Sequence, residues 1–422
     1  MTNDTNPQTG GRFGAEVLDR LDQLAQFSES DEGLTRVYLS AEEKGAGELL
    51  IGWMTEAGMA ADFDAVGNVV GRYEGNAPGL PALLTGSHYD TVRNAGQYDG
   101  MLGVVSAISC IKALNEAGER LPFAIEVIGF ADEEGVRFQS TLLGSRGVAG
   151  TLDAEILDKQ DADGTTMAEA MTAFGLDPAR IGDAAHKAED VLAYIELHIE
   201  QGPVLLAEDL PVGVVTSIAG ATRFAVTVTG LAGHAGTVPM GGRHDAAAAA
   251  AEMLLAIEDR CSGIDALVGT VGQLTVPEGA TNVIPGAAIF SIDIRAGDDT
   301  VREAAVADVE AALAAIAERR NVTVELTRTH EAKSAICAPW LMDQIRDAIG
   351  AADIEPRYLM SGAGHDAMAF VDLTDIAMLF VRCGNGGISH HPDETMTAAD
   401  ADLSTAILLD IFRRFRPKAD GA

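Results

Sequence analysis

Histidine, aspartate and glutamate are concentrated in five short segments of this 422-residue chain. Any one segment alone would more simply be a polar loop or a solvated run of charge. Together they supply four histidines, of which His390 and His391 are adjacent, and several carboxylates, which suits two borderline divalent ions bridged by one aspartate. The segments are Gly86–Val92 with His88 and Asp90, Gly96–Gly100 with Asp99, Phe130–Gly135 with Asp132, Glu133 and Glu134, Glu196–Gly202 with His198, and Gly387–Glu394 with His390.

Two of these segments directly follow apolar runs that predict β-strands. The runs cover residues 81–85 and 123–131, and a helix predicted over 102–117 lies between them. This β-α-β order predicts an α/β domain with a partly parallel sheet, and such sheets carry their chemistry at the carboxyl ends of the strands. We therefore expect His88 and Glu133 at the same edge. The other elements predicted in this half are a strand-like run over 61–73 and a helix that begins at the capping box of Ser40 and Glu43 and ends near Gly58.

The middle of the chain predicts a different pattern, β-α-β-β-α-β, which is typical of a small α+β sandwich domain. Its strands are predicted at 223–229, 268–275, 288–294 and 322–327, and its helices at 245–258 and 300–319. The residues after it resemble the first half again, with a helix from Pro339, a strand at 376–381 and a capped helix at 397–415. We therefore predict a discontinuous α/β domain, residues 1–215 and 330–422, that carries an inserted α+β domain, residues 216–329.

The charge of the chain limits its partners. It has 64 acidic and 29 basic residues and a formal net charge of −35, which argues against nucleic acid or an anionic membrane surface as partner. A small anionic substrate is compatible with this charge if a local cluster of Arg, His and Asn holds it against the global field.

Cysteine spacing and the opening segment indicate the compartment. Four cysteines (Cys110, Cys261, Cys337 and Cys383) lie far apart without CxxC spacing, so we expect buried, reduced thiols and no thiolate zinc site. Residues 1–16 are polar and lack the basic start and apolar run of an export signal, and no later stretch is long and apolar enough to span a bilayer. A cytoplasmic location is expected.

The combined motifs resemble the M20 peptidase superfamily, in its hydantoinase/carbamoylase branch. They are GSHxDTV, YDG, DEEGxRF, ELHIEQG, HAGTxPM, NVIPG, SGAGHDA and GISHxPxE. The resemblance covers the chain from the segment ending at Arg36 to Glu394. It implies an α/β catalytic domain with a dinuclear metal site, an inserted α+β lid through which two chains form a homodimer, and two divalent ions per subunit. Zinc or manganese is implied, with cobalt and nickel as alternatives.

The same resemblance implies a role for each matching residue. One ion would be held by His88, Asp99 and His198, and the other by Asp99, Glu134 and His390, so that Asp99 bridges them. Asp90 would orient His88, Glu133 would be the general base, and lid residue His234 would stabilise the tetrahedral intermediate in the partner subunit's active site. The implied substrate-binding residues are Gln201, Arg223, His234, Asn282, Arg295 and Gly362, with Asn282 and Arg295 gripping a carboxylate.

Simpler structural explanations exist for several of these residues. Asn282 could cap a turn, Arg295 could form a surface ion pair, and His234 could be a hydrogen-bonding loop residue. The chain also departs from the family pattern before the last histidine motif, where it has Arg382-Cys383. His391 stands where relatives often carry Asn or Ser, which makes it a second candidate beside His390.

The resemblance favours hydrolysis of a linear ureido group with release of ammonia and carbon dioxide. Allantoate is the expected substrate, because allantoate amidohydrolases resemble this chain in placing an arginine at the position of Arg223. The alternative is an N-carbamoyl-L-amino acid hydrolase, and a dipeptidase or aminoacylase agrees less well with the HIEQG and DEEGxRF motifs. A non-catalytic binding protein with a decayed site is disfavoured because no expected ligand or base is missing.

Overall fold

The computed structural model describes residues 11–418. Residues 1–10 and 419–422 lie outside the described part, and they include most of the opening segment from which the cytoplasmic location was predicted. Among the described residues, no helix is both long and apolar enough to cross a bilayer. All four cysteines are free and buried, as expected.

The chain has a mixed α/β fold, which confirms the predicted fold class at that level. The strands are β1 (Ala60–Phe63), β2 (Val69–Tyr73), β3 (Ala82–His88), β4 (Ala124–Phe130), β5 (Val191–Ile199), β6 (Val212–Ile218), β7 (Gly220–Thr229), β8 (Gly233–His234), β9 (Leu267–Thr270), β10 (Leu274–Thr275), β11 (Val283–Ile284), β12 (Ala287–Ala296), β13 (Thr323–Ala332), β14 (Ala335–Ile336), β15 (Tyr358–Ser361) and β16 (Ile376–Val381). The helices are α1 (Gly14–Leu24), α2 (Ala41–Glu56), α3 (Met101–Glu116), α4 (Leu143–Val148), α5 (Met167–Phe174), α6 (Val204–Ala207), α7 (Ala246–Cys261), α8 (Asp299–Arg320), α9 (Pro339–Ala351) and α10 (Ala398–Arg414).

The described chain divides into two compact units. The first contains residues up to Thr216, Cys337–Leu359 and everything from His365 onward, and the second contains Ser217–Ile336 and Met360–Gly364. The second unit thus continues beyond residue 329 and includes a short segment from the motif SGAGHDA. The roles of catalytic domain and lid remain predictions for these units.

The first unit is built on a mixed sheet with the strand order β1-β2-β4-β3-β5-β16-β6. The pairs β4/β3, β3/β5 and β5/β16 are parallel, whereas β1/β2, β2/β4 and β16/β6 are antiparallel. Strands β3, β4 and β16 are buried along their whole length. Such continuous burial is expected of parallel strands that are covered on both faces, and α3, which connects β3 to β4, packs against this sheet.

The run over 61–73 is a hairpin rather than one strand, so that prediction was wrong. Strands β1 and β2 pair in antiparallel fashion, with Phe63 opposite Val69. The Asp64 carboxylate accepts hydrogen bonds from the backbone N–H groups of Val66 and Asn68, both at 2.9 Å. An aspartate that binds backbone N–H groups two and four residues ahead favours a turn over continued pairing.

The main elements of the second unit follow the predicted β-α-β-β-α-β order. The run predicted as one strand over 268–275 instead forms two short strands, β9 and β10, and β8 pairs with β11 in an additional ribbon. The unit's five-stranded antiparallel sheet has the order β10-β12-β7-β13, with β9 also paired to β12. Helices α7 and α8 pack against one face of this sheet, where Phe224 of β7 and Ile294 of β12 are buried. Because successive side chains on a strand point to opposite faces, the polar residues Arg223, Asp293 and Arg295 lie on the other face.

Candidate active site

The side chains of the candidate metal centre come from the carboxyl ends of parallel strands. His88 is the last residue of β3, and His198 lies one residue before the end of β5. Glu134 follows the end of β4, and His390 lies in the loop after β16. These strands run in the same direction, so their carboxyl ends meet at one edge of the sheet.

Asp99 lies at the centre of the group. Its Oδ1 is 3.4 Å from His88 Nε2 and 3.2 Å from His198 Nε2, and its Oδ2 is 3.3 Å from His390 Nε2. His390 Nε2 is also 3.2 Å from Glu134 Oε1. The structure therefore forms two candidate ligand sets that share Asp99, and within each set the ligand atoms lie within 4.8 Å of one another.

The two buried histidines present the correct nitrogen to an ion. His88 Nδ1 lies 3.1 Å from the carbonyl of Asp90, and His198 Nδ1 lies 2.8 Å from the carbonyl of Ile199. A carbonyl can only accept, so each Nδ1 carries the hydrogen and each Nε2 keeps a lone pair. His198 Nε2 and Asp99 Oδ1 are buried and have no hydrogen-bond partner, which is costly without a cation. These residues fit a divalent ion.

The Asp90 carboxylate positions the two glutamates. Its Oδ1 accepts the backbone N–H of Glu133 at 3.0 Å, and its Oδ2 accepts that of Glu134 at 3.2 Å. His88 Nδ1 is farther from this carboxylate, at 3.5 Å, than from the Asp90 carbonyl. Burial, followed by the neighbouring charge of Glu134, raises the pKa of Glu133 well above its ordinary value. A carboxyl group with a raised pKa is suited to proton transfer.

The turn before α3 brings the Asp99 segment against His88. Gly100 has φ 75° and lies so close to His88 that a Cβ would be 2.5 Å from the His88 ring. Only glycine satisfies both conditions. Burial acts to raise the pKa of Asp99, but the neighbouring imidazoles of His198, His390 and His88 outweigh burial and hold that pKa well below its ordinary value.

Gln201, an expected substrate-binding residue, lies beside the candidate metal ligands. Its Nε2 donates to Asp99 Oδ2 at 2.7 Å and is 3.4 Å from His390 Nε2. Its backbone has φ 55° and donates to the Sγ of Cys383 at 3.2 Å. Cys383 therefore supports the backbone of Gln201.

The structure explains the role of Arg382, where the sequence departs from the family pattern, and distinguishes His390 from His391 as the candidate ligand. Arg382 donates hydrogen bonds to Asp400 at the start of α10 and to Asp209, the latter at 2.9 Å. These bonds stabilise the position of the chain at the end of β16. His391 is half-exposed, and its Nδ1 accepts the backbone N–H of Asp393 at 3.1 Å. His390, rather than His391, belongs to the ligand set with Asp99.

Sequence reasoning missed two residues that contact Asp99. Ser389 Oγ lies 2.7 Å from Asp99 Oδ2, and Glu394 Oε1 accepts the backbone N–H of Asp99 at 3.2 Å. Burial, followed by the charge of Asp99, raises the pKa of Glu394 to about 7. Their positions within the GISHxPxE motif were the available signal.

The second unit contains a cluster of two arginines around one carboxylate. Asp293 accepts Arg223 Nε at 2.9 Å and both Nε and Nη2 of Arg295 at 3.0 Å. Arg295 Nη1 donates to the carbonyl of Gly362 at 2.8 Å. These four residues line a cavity of about 680 Å³ within this unit. Two guanidinium groups and one carboxylate leave one net positive charge, so the cluster suits a carboxylate ligand despite the acidic chain. Asp293 was not among the residues predicted from the sequence.

His234 and Asn282 lie together on a separate two-stranded ribbon. Strand β8 pairs with β11 so that His234 is opposite Val283, and the backbone N–H of Ala235 donates to the carbonyl of Asn282 at 2.9 Å. His234 Nδ1 accepts the backbone N–H of Gly236 at 3.1 Å. The hydrogen of the neutral ring is therefore on Nε2, which is free to donate to a developing oxyanion.

Comparisons with known proteins agree on one family. The model of peptidase family M20/M25/M40 matches residues 84–414. "Allantoate deiminase 1" of Glycine max is 41% identical, over 94% of this chain and 89% of that protein. "N-carbamoyl-L-amino acid amidohydrolase" of Geobacillus stearothermophilus is 40% identical, over 94% and 97%. A crystal structure of a hydantoinase/carbamoylase family amidase from Burkholderia multivorans is 31% identical, covers 96% of this chain and 98% of its own, and gives a TM-score of 0.90.

Proposed function

Because the chain belongs to peptidase family M20/M25/M40, we propose that it is a metal-dependent amidohydrolase that cleaves a linear ureido C–N bond, with release of ammonia and carbon dioxide. The hydantoinase/carbamoylase branch that the motifs indicated is confirmed by its relatives and structural neighbours. The observation that carries the proposal is the sharing of Asp99 between two sets of ligand atoms. The two relatives of this chain compared above are named for allantoate and for N-carbamoyl-L-amino acids, not for peptides. These names disfavour the dipeptidase and aminoacylase alternatives.

Two divalent ions, zinc or manganese in our proposal, would be held by the residues around Asp99. His88 and His198 complete one set, and Glu134 and His390 the other. When bound, such ions acidify water and polarise a carbonyl oxygen. The orphaned atoms Asp99 Oδ1 and His198 Nε2 support this assignment, since both are buried without a partner.

Glu133 is the general base and acid of the proposed reaction. It takes the proton of the attacking water and returns it to the departing nitrogen. The raised pKa of its carboxyl group supports this role, because burial allows the group to hold a proton until it is delivered. The Asp90 carboxylate holds Glu133 in position by accepting its backbone N–H.

The second unit supplies the substrate-binding groups of the proposal. Arg295 has five N–H donors, of which three bind Asp293 and Gly362, so two are left for a substrate carboxylate. Asn282 is assigned to the same carboxylate. His234 is assigned to the oxyanion of the partner subunit in a homodimer formed through this unit.

Allantoate is the proposed substrate, since it carries a carboxylate and two ureido groups. After one ureido group reaches the ions and the carboxylate reaches Arg295, the second ureido group still has an unpaired carbonyl oxygen. Arg223 uses only Nε on Asp293, so four of its N–H donors remain for that oxygen. N-carbamoyl-L-amino acids are the second candidate, favoured by the 40% identity to the Geobacillus stearothermophilus relative.

A substrate panel with ammonia release as the readout tests the proposal. Protein that has been stripped by a chelator is assayed on allantoate, N-carbamoyl-L-amino acids and dipeptides, with and without manganese, zinc, cobalt or nickel. We expect no turnover without an ion, restoration by at least one ion, and the highest specificity constant for allantoate. Full turnover by verified metal-free protein, or a preference for dipeptides, would refute the proposed function.

A further inference from the structure

Asp99 is held by two side chains that have no assigned role. Glu394 Oε1 accepts the backbone N–H of Tyr98 at 2.8 Å and that of Asp99 at 3.2 Å. Glu394 Oε2 lies 2.7 Å from the hydroxyl of Ser389, and the same hydroxyl lies 2.7 Å from Asp99 Oδ2. Glu394 is only 4% exposed. The contacts thus fix both the backbone and the carboxylate of Asp99.

These contacts also join two ligand loops that are far apart in sequence. Ser389 directly precedes His390, which has φ 56°, a conformation that non-glycine residues rarely adopt. Such a conformation persists only where the surrounding structure holds it. The backbone N–H of Glu394 donates to the carbonyl of His391 at 3.0 Å, which closes a turn directly after His390. Glu394 therefore fixes the loop of His390 and the turn of Asp99 at once.

The turn before Asp99 has room for this carboxylate only because of a glycine. A Cβ on Gly96 would lie 2.4 Å from both Cβ and Oε1 of Glu394. Any side chain at this position would push Glu394 away from the two N–H groups that it binds. The approach of Glu394 is therefore a specific feature of this turn.

We propose that Ser389 and Glu394 are positioning residues of the metal centre, which set the direction of the Asp99 carboxylate and its distance from His390. The inference rests on the proposed function, because it concerns ions bound between these residues. Hydrogen bonds to a ligating carboxylate orient it, and loss of such a partner typically weakens metal binding about 10–100-fold.

The test compares Ser389→Ala and Glu394→Ala with a matched control. Asp402 offers the control, because its Oδ1 also accepts two successive backbone N–H groups, those of Phe13 and Gly14, at 2.6 and 3.1 Å. Manganese and zinc affinities are measured by competition with a chromophoric chelator, and unfolding by denaturant is measured on metal-free protein. We expect affinity to fall about 10–100-fold in Ser389→Ala and Glu394→Ala. Asp402→Ala should lower the unfolding free energy and keep the wild-type metal affinity.

Ser389→Thr supplies a rescue, since it keeps the hydroxyl and should restore the affinity that Ser389→Ala loses. If Glu394→Ala does not fold, the metal affinities of Ser389→Ala and Ser389→Thr decide whether the Ser389 hydroxyl positions Asp99. Wild-type affinity in the folded Ser389→Ala protein would overturn the inference and leave the proposed function standing. A wild-type protein that binds no divalent ion would instead overturn the proposed function, and the inference with it.

Discussion

Replacement of Arg223 by tryptophan should change substrate preference. A carbonyl oxygen buried without a partner costs about 1–3 kcal/mol. The Arg223 side chain is 45% exposed, so water can partly replace the lost donor, and the lower end of that range applies. A loss of about 1–1.4 kcal/mol corresponds to a roughly fivefold to tenfold lower kcat/KM for allantoate. Hydrolysis of N-carbamoyl amino acids with apolar side chains should be unchanged or faster.

Arg328 provides a matched control for this substitution. It is also 45% exposed, it is ion-paired to Glu331, and it lies on the neighbouring strand β13 without lining the cavity at Arg223. Arg328→Trp should leave the ratio of the two specificity constants at the wild-type value. The assay is ammonia release on the same preparations with both substrates. Equal depression of both substrates by Arg223→Trp, or a wild type that prefers N-carbamoyl-L-amino acids, would refute the role of Arg223 and favour the carbamoylase alternative.

Three further predictions concern Glu133, His234 and the pH dependence of stability. Glu133→Gln should keep the bound metal and lower kcat about 10²–10⁴-fold, whereas Glu134→Gln should lose metal; elemental analysis with the reverse pattern would exchange the two roles. A mixture of His234→Ala and Glu133→Gln subunits should regain activity if His234 acts across a dimer, and no recovery after proven subunit exchange would exclude that arrangement. Burial lowers the pKa of His186, but its hydrogen bond to Glu126 outweighs burial and raises that pKa overall. The unfolding free energy that His186 contributes should therefore be fully present below about pH 6.5, the ordinary value in the unfolded chain, and be lost as the pH rises through the folded pKa. The unfolding free energies of wild type and His186→Gln are measured by denaturant titration from below pH 6.5 upward. A difference between the two proteins that does not shrink as the pH rises would contradict the prediction.

Many features of this protein could be predicted from short stretches of sequence. Apolar runs of strand length predicted β4 and β16, and Ser40 predicted the start of α2, where its hydroxyl accepts the backbone N–H of Glu43. The expected meeting of His88 with Glu133 at one edge also followed, because parallel strands end on the same side. These features depend on residues that are near in sequence or on a general rule of sheet geometry.

Contacts between distant segments required the tertiary structure. The capping box at Ser40 is incomplete, since the Glu43 carboxylate accepts the backbone N–H of Leu39 instead of that of Ser40. Asp293 and Arg223 are 70 residues apart, and only the register of β7 against β12 sets them opposite each other. A shift of one residue would place these side chains on opposite faces of the sheet.

The choice of ligand in the last histidine motif also lay beyond the sequence. His390 and His391 are adjacent and chemically identical, so residue type cannot distinguish them. The backbone of His390, with φ 56°, brings it to Asp99 and Glu134, whereas the His391 ring accepts a hydrogen bond from its own loop. Chain sequence determined which ligand types are available. The path of the backbone, fixed by hydrogen bonds between segments almost 300 residues apart such as Asp99 and Glu394, decided which of them converge.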